Sequence, residues 1–107
     1  MEWRVEALND IVRGELDALP KDMKARLIRI QLLIQQVGLE ALKEPYVKHL
    51  EGKLWEMRLK GRDGIARAVY VTALGRRVVI VRVFVKKTQQ TPRSEIDIAL
   101  RRAKELL

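Results

Sequence analysis

No cysteine occurs among the 107 residues of this chain, so neither a disulfide nor a thiolate metal site can form, and a reducing cytoplasm is the expected compartment. Histidine is almost as scarce. His49 stands alone with no HExxH-type spacing around it, so no metal site is expected, and no other cofactor either. Long apolar runs are missing too. The most apolar stretch, Leu27 to Val37, is interrupted by Arg29, Gln31, Gln35 and Gln36, and reads as one face of a helix instead of a membrane span. The opening MEWRVEALND carries Glu2, Glu6 and Asp10, which does not suit an export signal, so no membrane association is expected.

What remains is the composition of a folded chain: 48% hydrophobic and 34% charged residues, enough for one domain over residues 1–107 with a single core. The net charge of +8 is unevenly placed. Residues 48–93 hold 12 Lys/Arg against Glu51, Glu56 and Asp63, a local balance of +9, whereas the rest holds 10 basic and 11 acidic side chains. A contiguous excess of this kind points to a polyanion partner. Charge alone leaves two alternatives open, a basic protein kept soluble by its charge and one that docks an acidic protein.

Periodicity sets the element order. Trp3, Val5 and Ala7 alternate with polar residues, as in a half-buried strand. Asn9 or Asp10 can cap a helix carrying Ile11, Val12, Leu16 and Leu19. After Pro20, a second helix repeats Met23, Leu27, Ile30, Leu33, Ile34 and Val37 at three and four residues until Gly38 stops it. Residues 39–52 read as a turn of helix and a loop. Trp55, Met57 and Leu59 then alternate with Leu54, Glu56, Arg58 and Lys60 in an amphipathic strand. Gly61-Arg62-Asp63-Gly64 turns into a second extended run, Ile65 to Ala73, and Leu74-Gly75-Arg76 into a third, Val78 to Val85, expected to bury Val79, Val81, Val83 and Val85 on one side. Thr91-Pro92 is a helix start, threonine as cap and proline at the first helical position. The order β-α-α-β-β-β-α describes an α+β domain: a small antiparallel sheet with an N-terminal helical pair and a C-terminal helix.

Strand alternation directs Arg58, Arg82, Phe84 and Lys86 to one side, with Arg67 among valines on its strand and Lys87 and Thr88 at the rim. Such a groove suits a phosphate backbone, with Phe84 or Tyr70 available to stack on a base, although Tyr70 alternates with Ala66 and Ala68 and can equally belong to the core. The same cations suit RNA scission, because Arg and Lys stabilise a phosphorane and a lysine crowded by cations becomes a general acid or base. A passive binding surface is the other reading. Glu56 is expected as a charge partner of Arg58, and His49 as a surface or turn residue.

The segments KHLEGKLWEMR (48–58), RAVY (67–70) and FVKKTQQTP (84–92) resemble, in order and spacing, the pattern K-x-L-x-x-G-L-W-E-L-R … Y-R-V-x-Y … F-x-K-K-T-x-x-T-P of phage-derived HigB-like toxins in the RelE/ParE superfamily. The resemblance implies a RelE-like fold and the toxin of a type II toxin–antitoxin pair: a ribosome-dependent, metal-independent endoribonuclease acting on mRNA. It also implies a cognate antitoxin, HigA-like and bearing a helix-turn-helix. On that basis Arg58, Arg67, Lys86 and Lys87 are the candidate catalytic residues, and Lys48, Lys53, Lys60, Arg82, Phe84 and Thr88 the candidate RNA contacts. Arg82 stands where relatives often have histidine, Ala66 where they often have tyrosine, and Lys53 follows Gly52 where the pattern has leucine. The first departure adds charge and removes a proton shuttle. Two other readings are a ParE-like poison of DNA gyrase and a non-catalytic module that binds RNA or an antitoxin.

Overall fold

A computed structural model of the chain describes residues 2–86 and 90–106. Its elements are β1 (Arg4–Ala7), α1 (Asp10–Asp17), α2 (Lys21–Val37), β2 (Val47–Glu51), β3 (Leu54–Gly61), β4 (Gly64–Ala73), β5 (Arg77–Lys86) and α3 (Arg93–Ala103), with short 3-10 turns at Leu39–Ala41 and Lys104–Leu106. The five strands form one sheet in the order β1-β5-β4-β3-β2; β1 runs parallel to β5 and every other pair is antiparallel.

The helical pair forms for the reasons its residues suggest. Asn9 caps α1 by accepting the Val12 N–H at 3.1 Å, and α2 buries Met23, Leu27, Ile30 and Ile34 at helical spacing before Gly38 takes a φ of 86°. β2 is the element the periodicity did not predict. It lies at the sheet edge, buries only Val47 fully and carries an irregularity between His49 and Glu51, so its alternation is faint. Thr91 is also not the cap of α3. Pro92 holds the cap position with no side-chain bond to the helix, and the Thr91 hydroxyl donates to Glu56 instead.

Apolar residues cover both faces of the sheet, in place of the single core expected. Under α1 and α2 lie Met57, Leu59, Ala66, Ala68, Tyr70, Val78, Ile80 and Val83; under α3 lie Leu54, Val69, Val71, Val79, Val81 and Phe84, against which the helix packs its buried Ala99. β5 changes sides part-way. Val69 pairs with Arg82 but Tyr70 with Ile80, so Val81 is an extra residue and the alternation inverts after it. Val79 and Val81 therefore face α3, Val83 faces the helical pair, and Val85 is 41% exposed, correcting the expectation that all four share one buried side.

Close approach at the β3–β4 turn depends on Gly61. A Cβ there would lie 2.7 Å from Met23 Cγ and 2.8 Å from Asp22 Oδ2, while Asp22 also accepts the Arg62 backbone N–H at 2.7 Å. The start of α2 is thereby tied to the tip of the hairpin.

Candidate nucleic-acid interface

Strand register decides which side chains meet, because directly opposed residues share a face and so do residues two apart. Arg58 opposes Arg67, which opposes Phe84; Lys60 opposes Ile65, which opposes Lys86; Lys48 opposes Glu56, in the row that continues to Val69 and Arg82. Lys48, Arg58, Lys60, Arg67, Phe84 and Lys86 thus share the face that carries α3. That helix starts beside the Glu56 row, where Thr91 reaches Glu56, Glu95 reaches Arg82 and Arg93 reaches Glu51. The Arg58 and Lys60 rows lie beyond its N-terminal end.

Depth separates these residues. Arg67 and Glu56 are completely buried. Glu56 Oε2 lies 3.0 Å from Arg58 Nε and 3.6 Å from Arg67 Nε, and its other oxygen accepts from Thr91. Burial pushes the Arg67 guanidinium below its ordinary pKa; Glu56 opposes that and neighbouring Arg58 adds to it. An arginine stays charged even so. Arg58 keeps 21% of its side chain exposed, and Lys48, Lys60 and Lys86 are exposed. Arg58 therefore meets solvent, while Arg67, opposite it on β4, lies wholly beneath the surface.

Three other candidates are engaged, covered or set apart. Arg82 donates to Glu95 at 2.6 Å and to Glu15 at 2.8 Å, joining α1, β5 and α3, and these carboxylates, Glu95 foremost, raise its pKa further. Its guanidinium is already engaged. Phe84 is 9% exposed within the apolar cluster under α3, leaving little ring surface for a base. Lys53 sits in the β2–β3 turn, seven residues from Lys60, or about 23 Å along the strand. Lys87 and Thr88 lie outside the described residues. Tyr70 packs in the core on the α1/α2 side, where burial raises its pKa, and His49 lies exposed on the edge strand β2, its Nε2 bonded to the Gly52 carbonyl at 2.7 Å.

Chemically, Arg58, Arg67 and Glu56 sum to one positive charge, to which Lys60 and Lys86 add two. Fixed guanidinium and ammonium groups on the rim of a largely apolar face are suited to stabilising charge on a phosphate. Glu56 holds two arginines and accepts from Thr91, more than the single charge partner of Arg58 that the sequence suggests. The signal was an acid at an alternating position inside a cationic row.

Residues 14–104 match the model of a family described as Phage derived protein Gp49-like. The chain belongs to this family. No curated protein matches this Gp49-like chain. Among solved structures it is similar to an archaeal RelE–RelB complex from Pyrococcus horikoshii OT3, with 21% identity, a TM-score of 0.58, and coverage of 84% of this chain and all of the matched one. The fold of this Gp49-like protein is therefore RelE-like.

Proposed function

We propose that this protein is the toxin of a type II toxin–antitoxin pair, a metal-independent endoribonuclease of the HigB-like branch that cuts mRNA on the ribosome. The observation carrying this reading is the open end of one sheet face, where Arg58, Lys60 and Lys86 stand together with Arg67 and Glu56 behind them. Arg58 holds the scissile phosphate and stabilises the phosphorane, and Lys86, with Lys87, supplies proton transfer. Lys48 and Lys60 bind flanking phosphates. The RelE-like fold supports the reading, and a relative solved as a RelE–RelB complex supports a partner protein here, a HigA-like antitoxin with a helix-turn-helix. The compartment proposed is the cytoplasm, where translated messages are found.

The test is induction in cells with mapping of transcript 5′ ends and of DNA breaks. Cuts within translated messages are expected, and they disappear in an Arg58→Ala/Lys86→Ala variant whose melting temperature stays near that of the parent. Arg67→Ala is a poor control because it removes a buried charge partner of Glu56 and destabilises the fold. DNA breaks at gyrase sites without message cleavage would establish the ParE-like reading instead, and neither effect would leave a binding module.

A further inference from the structure

Most arginines near the sheet are occupied: Arg58, Arg67, Arg77, Arg82, Arg93 and Arg102 are each ion-paired to a carboxylate. A different group of cations is not. Arg26 and Arg29 on α2, with Lys60 and Arg62 at the β3–β4 hairpin, are exposed and have no carboxylate ion pair among the described residues. They converge, because all four line one cavity of about 590 Å³ between α2 and the hairpin. Its one acid, Asp22, already accepts the backbone N–H groups of Met23 and Arg62. A second cavity, of about 250 Å³, shares Arg26 and Lys60 with the first and adds Arg58, Tyr46 and Ile65. The two concavities form one path from α2, around the end of the hairpin, to Arg58.

We propose that this path is a second binding site, a phosphate track for single-stranded RNA that extends the cationic sheet face onto α2 through Arg26, Arg29 and Arg62. Unpaired guanidinium groups in a concave surface match phosphate oxygens bidentately. Continuity with Arg58 gives the ligand a class: a strand long enough to lie on both surfaces at once. In sequence α2 carries Lys21, Lys24, Arg26 and Arg29 with the single acid Asp22, and only folding brings Arg26 and Arg29 beside Lys60.

This inference deepens the RNA-directed reading above and rests on it, but its test needs neither ribosome nor cleavage. Binding of a fluorescent 12-nucleotide oligouridine is titrated across salt for the parent and for Arg26→Gln/Arg29→Gln. Each single-strand phosphate contact adds about 0.7 to the slope of log affinity on log salt, so the variant slope should fall by about 1.4. Between 50 and 200 mM salt the parent then loses about sevenfold more affinity than the variant. An Arg4→Gln/Arg13→Gln variant removes the same charge far from the path and should keep the parent slope. An unchanged slope in the α2 variant, or an equal fall in the control, overturns the proposal. So does loss of binding to an acidic peptide such as oligoglutamate with RNA binding intact, which assigns the path to a protein partner. A reduced slope in a protein that cuts no message leaves the track standing and removes the nuclease reading.

Discussion

Glu56 is the carboxylate on which the cationic face depends, and Glu56→Gln isolates its charge with little change of shape. In the parent, one side chain with 1% exposure lies between Arg58, 21% exposed, and Arg67, fully buried. The amide removes the negative charge that Glu56 places between two guanidinium groups on directly opposed residues, while its oxygen can still accept from Thr91. Breaking a buried ion pair from one side costs about 3–5 kcal/mol, and the retained acceptor places this case near 3 kcal/mol. A chain of this length has a total stability of roughly 5–16 kcal/mol, so the loss is a large share of it. With a urea m-value of about 2 kcal/mol/M the unfolding midpoint should drop by about 1.5 M, read from the fluorescence of Trp3 and Trp55. Glu56→Gln/Arg67→Met, which also removes the second buried charge, should recover most of that drop. A single variant within about 1 kcal/mol of the parent, or a double variant no better than the single, would refute the claim that Glu56 neutralises buried Arg67 and the part-exposed Arg58 beside it.

Tyr70 gives a pH signature. Its phenol is 2% exposed and burial raises its pKa above the ordinary 10, so the folded state keeps a proton that the unfolded state releases. The tyrosine contribution is therefore complete below pH 10 and is lost as pH rises from 10 through the folded-state value, at about 1.4 kcal/mol per pH unit. The difference in stability between the parent and Tyr70→Phe, followed from pH 9 upward by denaturant unfolding, should show that slope, and a constant difference would count against it. Gly61→Ala should destabilise by about 1–3 kcal/mol, since the new methyl meets buried Met23, and should lower the melting temperature by roughly 4–12 °C. An unchanged melting temperature would mean that α2 shifts away from the hairpin at little cost.

The parts of the fold that were legible in sequence are those whose burial is regular. α2 encodes its buried face in the spacing of Met23, Leu27, Ile30 and Ile34, and β3 in the alternation of Met57 and Leu59, although Trp55 in the same row is 39% exposed. β2 was not legible, because an edge strand with one fully buried residue has almost no pattern to read. The inversion in β5 was hidden for another reason: one extra residue in a valine run leaves composition unchanged while exchanging the faces of everything after it. Alternation also gives direction and not depth. It placed Arg58, Arg67 and Phe84 on one side, as the register has them, but could not say that Arg67 and Phe84 are covered and Arg58 is not. The proximity of Arg26 to Lys60 comes from the docking of α2 on β3 and leaves no trace in local sequence.

The short β1 reaches only as far as Ile80, so the outer margin of β5 continues beyond it. There the Glu15 carboxylate takes the Val83 N–H at 2.9 Å and Arg102 donates to the Val81 carbonyl at 3.0 Å, two side chains standing in for a sixth strand. A valine-rich margin left bare is a template on which other chains polymerise. Here the plug is charged and comes from two different helices, so an incoming chain must first displace α1 and α3. Self-association through this margin is thereby coupled to loss of the fold itself.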